Sequence, residues 1–324
     1  MGTRPFHGGI KMVKILYISN DTSTLIVKNF QYLEQALSEF ATVKIWRKSG
    51  SIQTILKKLQ FQPDFILIQN DIANQLTPYI QGLSKISIPT GLIVNDVYRF
   101  KEPRRIYIKK NNIGYIFSII RKQFLEIYPE FSNRLKWFPH FVQPKIYKDY
   151  QLPKDIDLLL MGSTDDMYPL RQKIAKAYEQ DPNFIYHRHP GYGDVTNKVK
   201  SGYFIGEKYA RELNRSKIFF TSPSIYLYPV MKYFEALACK TLLLAPTFEE
   251  LEALGFIPGT HFIPITDSDF KKKAAYYLEH DEERKKITEM GYQFVHQNHT
   301  LTVRAKQLVE EIEKIIATHK GGSS

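Results

Sequence analysis

Cysteine is nearly absent from this chain: a single residue, Cys239, in 324. That excludes a disulfide framework and any multi-cysteine metal site, and it suits a reducing compartment. No apolar run reaches the roughly 18 residues needed to span a bilayer. The stretch Met1–Lys11 (MGTRPFHGGIK) has neither the apolar core nor the small-residue cleavage site of a secretory signal. It is read as a leader outside the folded part, the terminal Gly-Gly-Ser-Ser as a linker-like tail, and the location as cytoplasmic. No internal repeat or low-complexity tract appears.

What is present is ordinary for a globular protein, with 43% hydrophobic and 24% charged residues. Disordered and fibrous classes are thereby excluded. The length suits two domains of about 150 residues each. The formal charge is +12, and it is unevenly distributed. Residues 1–150 carry 22 Lys and Arg against 10 Asp and Glu, whereas residues 151–324 carry 23 of each. An acidic partner is therefore expected at the N-terminal half.

Apolar runs and helical stripes alternate along both halves. In the first, Val13–Ser19, Val43–Trp46, Asp64–Gln69 and Gly91–Asn95 read as strands. Helices are expected at the stripe Ile26, Phe30, Leu33, Leu37 and Phe40, at Ile52–Leu59 and at residues 71–84. In the second, strands are expected at Asp157–Met161, Phe184–Tyr186, Ile218–Thr221 and Thr241–Ala245, with helices at Pro169–Tyr178 and Leu301–Ala317. Alternation of this kind builds parallel sheets covered by helices. The expected fold is α/β: two facing Rossmann-like, doubly wound domains over residues 12–145 and 150–318. They are joined by the proline-bearing stretch Pro139–Pro153, and the final helix packs back toward the N-terminal domain. Ligands of such domains sit at the carboxyl ends of the strands, here the cleft between them.

The most informative segment is Tyr228–Pro246, YPVMKYFEALACKTLLLAP. Pro229 suits a first helical turn, where its missing N–H costs nothing. Pro229, Val230 and Met231 would then present a helix N-terminus to a phosphate. Lys232 adds a formal positive charge. Glu235, three residues on, can accept two hydrogen bonds from a ribose diol; the bland alternative is an ion pair on an amphipathic helix. Gly162-Ser163 closes a strand where a small residue lets backbone approach a diphosphate. Arg171 can grip phosphate oxygens bidentately, and Lys217 is a weaker candidate of the same kind.

This segment, with TFEELEALGFIPGTHFIPIT, FPHFVQPKIY, DLLLMGSTDDMYPLRQKI and RELNRSKIFFTSPS, resembles the group 1 glycosyltransferases, within them the CgeB-like, spore-coat-associated branch. The resemblance runs over about residues 135–316 and implies the two-domain GT-B fold. It also implies a nucleotide-sugar donor, UDP- or GDP-type, on the C-terminal domain, with no separate cofactor. On that resemblance Glu235 falls at the ribose position, and the GYFIG loop lends Phe204 and Ile205 to the base. Two departures stand out. Leu227 occupies the place of a family glutamate, and Lys240 that of a family glycine.

In the N-terminal half, Asp96 ends a strand and is the candidate to deprotonate or orient an acceptor hydroxyl; a turn cap is the alternative. His140 reads as a packed histidine. The Asp155–Asp157 and Asp267–Asp269 triplets are no more frequent than chance, His187 and His189 lack a third ligand, and no metal is expected. The basic, aromatic segment 98–122 has three readings: a solvated surface, a peripheral membrane contact, or a grip on an anionic polymer. Nucleic acid is disfavoured because no recognised motif for it occurs. The expected function is metal-independent transfer of a sugar to an acceptor glycan, lipid-linked or anionic polymer. The alternatives are a binding protein on a degenerate scaffold and a nucleotide-sugar epimerase.

Overall fold

The structure is a computed structural model that describes residues 12–26, 28–71, 75–192, 194–195 and 202–321. Residues 1–11 and 322–324 lie outside the described residues. The N-terminal domain holds β1 (Lys14–Ser19), α1 (Asn29–Leu37), β2 (Thr42–Trp46), β3 (Gly50–Ser51), α2 (Ile52–Leu59), β4 (Phe65–Gln69), β5 (Ile80–Gln81), β6 (Thr90–Val94), α3 (Lys101–Asn111), β7 (Tyr115–Ser118), α4 (Lys122–Ile127) and β8 (Leu135–Trp137). Six strands form a parallel sheet in the order β2-β1-β4-β6-β7-β8. Strands β4 and β6 are buried along their whole length, which is why they read as unbroken apolar runs.

The C-terminal domain holds β9 (Ile156–Gly162), α5 (Pro169–Ala177), β10 (Phe184–Arg188), α6 (Glu207–Arg215), β11 (Ser216–Phe220), α7 (Met231–Ala238), β12 (Leu242–Ala245), α8 (Glu249–Glu252), β13 (Ile263–Pro264), α9 (Phe270–Glu279), α10 (Asp281–Asn298) and α11 (Leu301–Gly321). Its five strands are parallel in the order β10-β9-β11-β12-β13. Strand β9, flanked by β10 and β11, delivers Gly162 to the carboxyl edge, with Arg188 of β10 beside it in register.

The chain crosses between the domains twice, and the two crossings pair. The Val142 N–H donates to the His299 carbonyl at 3.0 Å, and the Leu301 N–H to the Val142 carbonyl at 2.8 Å. After the second crossing α11 lies against α1, and Glu311 meets Lys136 of β8 at 2.6 Å. His140 and His299 pack here beside the Arg304 guanidinium. Burial pushes them down to about 4 and about 3 respectively, so both are neutral at pH 7.

The expected helix over residues 71–84 does not form where the chain is described. Residues 75–79 are irregular, β5 follows, and Gly82 takes φ +78° ahead of a single 3-10 turn at Leu83–Lys85. Pro78 lacks the N–H a helix interior needs. Helix α3 arose without a matching expectation. Its buried face is Arg104, Tyr107, Ile108 and Asn111, half of it polar, so a search for apolar periodicity passes over it.

Candidate active site in the interdomain cleft

The floor of the cleft is built by three elements of the C-terminal domain. Gly162 ends β9 at φ +135°, and a Cβ there would stand 2.7 Å from Lys232 Cε and 3.3 Å from Arg171 Nη1. Glycine is required both by the backbone angle and by the two cations that close over it. Arg171, on the first turn of α5, is 2% exposed. Its Nη2 donates to the Ser222 carbonyl at 2.7 Å, its guanidinium lies 3.8 Å from the Tyr168 ring centre, and its Nε has no partner. No carboxylate pairs with it among the described residues. A buried cation without a counter-ion is costly unless an anion arrives. Burial accordingly pushes Arg171 below the ordinary arginine value.

Lys232 lies on the first turn of α7, whose N-terminus no side chain caps. Burial lowers its ammonium to about 8, Glu235 opposing and Arg171 adding to the shift. Its Nζ donates to the Tyr209 hydroxyl at 3.3 Å, and that hydroxyl donates to Glu235 Oε2 at 3.0 Å. Glu235 is 6% exposed and held in place by this relay, so the ion-pair reading of Lys232 and Glu235 is replaced by a phenol-bridged pair. Ser163 follows Gly162, its hydroxyl donating to Asp165 at 2.8 Å. Phe204 and Ile205 sit partly exposed just before α6; the Phe204 ring stacks on His187 at 3.9 Å, and Lys208 covers it at 4.4 Å. Gly162, Ser163, Arg171, Val230, Met231, Lys232 and Glu235 thus converge on one edge, with the Phe204–Ile205 loop beside it.

Replacing Gly162 with alanine is expected to displace Lys232 and to strain a backbone angle that favours glycine. The cost is on the order of 1–3 kcal/mol of stability. UDP affinity, read by calorimetry, should fall by about tenfold. An alanine variant that binds UDP as wild type does would show that the close approach at Gly162 serves packing alone.

The opposite wall is the N-terminal domain. Asp96 follows β6, and burial, then the charge of Asp71, raises its carboxyl above the ordinary value. Tyr98 donates to Asp96 Oδ1 at 3.3 Å, and Arg99 stands 3.6 Å from Oδ2. Behind it, Arg104 is 1% exposed and pairs with Asp71 at 2.8 Å. Across the cleft the Tyr98 ring stacks on Tyr226 at 4.5 Å, and Asn29 at the start of α1 reaches Met231 Sδ at 3.5 Å. Tyr98, Tyr209 and Tyr226 were not singled out in the sequence, where the tyrosine density of SIYLYPVMKY was the available signal.

Several expectations are corrected. Lys217 opens β11, so it sits at the amino end of the sheet, away from the cleft, and pairs with Asp157 at 2.5 Å. Pro229 precedes the Val230 N-cap, one step outside the first turn of the helix. The four carboxylates of the Asp triplets are all held by cations: Asp155 by Arg215, Asp157 by Lys217, Asp267 by Lys173 and Asp269 by Lys273. Among the described residues no group of three His, Cys, Asp or Glu converges. Lys240 takes the left-handed φ of 56° itself, and its ammonium bridges Asp149 at 3.0 Å and Glu289 at 3.1 Å. The turn is kept without glycine.

Segment 98–122 is divided between core, cleft and surface. Tyr107 and Phe117 are core, Tyr98 lines the cleft, and Arg104 is internal. Arg105 pairs with Glu102 and Glu130, Arg121 covers Trp137 at 4.1 Å, and Lys122 meets Glu249 at 3.4 Å. Lys101, Lys109 and Lys110 remain exposed on α3. No described helix is long and apolar enough to cross a membrane.

Residues 154–310 match the family model described as glycosyl transferase-like. No curated protein matches in sequence. Solved structures do. A sucrose-phosphate synthase from Thermosynechococcus elongatus is 12% identical, with a TM-score of 0.67 over 94% of this chain and 100% of that one. Anabaena Alr3699/HepE in complex with UDP and glucose is 11% identical, with a TM-score of 0.61 over 93% and 100%. A glycosyltransferase from Rickettsia africae is 14% identical, with a TM-score of 0.59 over 94% and 99%. At such identities the likeness establishes the fold, which is the two-domain GT-B arrangement of glycosyltransferases.

Proposed function

We propose that this protein is a glycosyltransferase, and that it moves a sugar from a nucleoside diphosphate sugar, UDP- or GDP-linked, to an acceptor held against the N-terminal domain. The observation that carries the reading is Arg171, a buried cation with no carboxylate partner among the described residues, converging with Lys232 on Gly162. A diphosphate supplies the charge that this floor is missing. The Anabaena relative with UDP and glucose bound supports the same ligand class. Placement in the CgeB-like branch rests on the motif stretches of the sequence.

In the proposed reaction an acceptor oxygen bonds to the anomeric carbon while the bond from that carbon to the diphosphate oxygen breaks. The leaving diphosphate gathers charge, and Arg171, Lys232 and the uncapped α7 N-terminus stabilise it as it does so. The acceptor proton passes to Asp96 or to the departing phosphate. A raised carboxyl value makes Asp96 a stronger base than an exposed aspartate. The contribution of Glu235 is to hold the ribose diol.

Calorimetry with UDP, GDP and inorganic pyrophosphate tests the assignment. Glu235→Ala should weaken UDP or GDP by about 10–100-fold, while pyrophosphate affinity stays the same. Equal affinity of the folded variant for the nucleotide would remove Glu235 from the site. Binding of nucleotide sugars with no release of free sugar, however long the incubation, would make the chain a binding module.

A further inference from the structure

The donor floor leaves one feature of the cleft unused, a wall of tyrosines around Asp96. Tyr98 rises from the N-terminal domain and stacks on Tyr226 with ring centres 4.5 Å apart and planes 22° from parallel. Tyr168, Tyr192 and Tyr228, all from the C-terminal domain, lie close enough to Asp96 for its charge to act on their hydroxyls. Tyr192 is 77% exposed, and the neighbouring loop shows Ile225 and Leu227 at 53% and 54%.

We propose that this wall is the acceptor subsite, and that the acceptor is an uncharged carbohydrate whose ring lies against the phenol faces with its hydroxyls toward Asp96. The proposal rests on the glycosyl-transfer reading and adds the acceptor class to it. Tyrosine offers an apolar face and a hydroxyl on one stiff side chain. A sugar ring, with C–H groups on its faces and hydroxyls at its rim, is the complementary shape. Charge points the same way. On the N-terminal wall Asp96 and Arg99 stand 3.6 Å apart and are opposite in sign. A polyanion would meet the Asp96 carboxylate; Arg104 is sealed behind the wall, Lys101, Lys109 and Lys110 are exposed on α3, and Arg188 lies on the donor side beside Gly162. Of the acceptors expected from the sequence, a glycan, a lipid-linked acceptor or an anionic polymer, the tyrosine wall favours a neutral glycan.

The test uses the full chain on a printed array of neutral, phosphorylated and sulfated glycans, with and without saturating UDP, and on phosphatidylglycerol vesicles. Wild type and Tyr226→Phe should retain neutral glycans. Tyr226→Ala, and independently Tyr192→Ala at an exposed position, should retain them about tenfold less, with UDP affinity by calorimetry within about twofold. Retention only of phosphorylated or sulfated glycans, retention only of vesicles, no neutral glycan retained, or neutral retention indifferent to both alanine variants would each overturn the proposal. Should UDP itself fail to bind, the donor assignment falls, whereas tyrosine-dependent glycan retention measured without UDP stands by itself.

Discussion

Arg171→Met is expected to weaken UDP binding by about 100–1,000-fold, while the melting temperature stays within a few degrees of wild type or rises. The two halves of this result come from one cause. Within the fold Arg171 is buried, gives one hydrogen bond to the Ser222 carbonyl, stacks on Tyr168, and leaves Nε unpartnered. Desolvation of a guanidinium without a carboxylate costs several kcal/mol. Methionine fills similar volume, keeps the aromatic contact through sulfur, and removes that cost, at the loss of about 1 kcal/mol for the carbonyl's hydrogen bond. When the diphosphate is present, however, the variant lacks a charge-assisted and potentially bidentate grip, worth about 3–4 kcal/mol in a desolvated site. A purely structural arginine predicts the reverse pattern: a lower melting temperature with UDP affinity intact. Calorimetry and thermal denaturation on the same preparation separate the two.

The sheet architecture was legible in part: most buried parallel strands read as apolar runs and α2 kept its stripe to both ends, Ile52–Leu59, but the short strands β7, β8 and β13 went unread. Helix α3 was hidden because Arg104 and Asn111 take core positions that apolar residues usually fill. The site was legible in pieces. Gly162, Arg171 and Lys232 were each found from local chemistry, at a strand end, a helix start and a helix N-terminus. The point where a methyl group on Gly162 would stand lies 3.3 Å from Arg171 Nη1 and 3.6 Å from Lys232 Nζ. That convergence depends on β9 lying between β10 and β11 in the sheet, which no local pattern reveals. Lys217 failed for the complementary reason. It too flanks a strand, but at the amino end, and in a parallel sheet only the carboxyl ends face the ligand. The tyrosine wall escaped because aromatic residues in a sequence look alike whether they fill a core, as Tyr107 and Tyr233 do, or line a cleft, as Tyr98 and Tyr226 do.

The net charge illustrates the same limit. A balance of +12 in residues 1–150 suggested one basic face. In the fold some of those cations go to separate partners, with Arg47 on Glu34, Arg104 on Asp71, Arg105 on Glu102 and Glu130, and Lys136 on Glu311, while others such as Lys101, Lys109 and Lys110 stay exposed. Charge composition is a sum over residues, whereas attraction depends on which of them remain unpaired and point the same way.

The affinity for UDP should be nearly level from pH 7 to about 7.5 and then fall by up to tenfold per unit above pH 8. The sign follows from Lys232. Burial lowers its ammonium to about 8 in the free protein, so below that pH the site is already charged. A bound diphosphate favours the ammonium form and raises its value in the complex. Above pH 8 the free protein has lost the proton that the complex must hold, and each binding event has to take one up. The slope lasts until the pH reaches the raised value of the complex. Lys232→Met should bind weakly at every pH and show no slope. Lys232→Arg carries a charge that does not titrate in this range, so its affinity should stay level to pH 10. Arg171, which also remains charged throughout, cannot produce the transition, and this assigns the slope to a single ammonium. A wild-type affinity that is level through pH 9.5, or a slope that persists in Lys232→Met, would place the diphosphate away from Lys232.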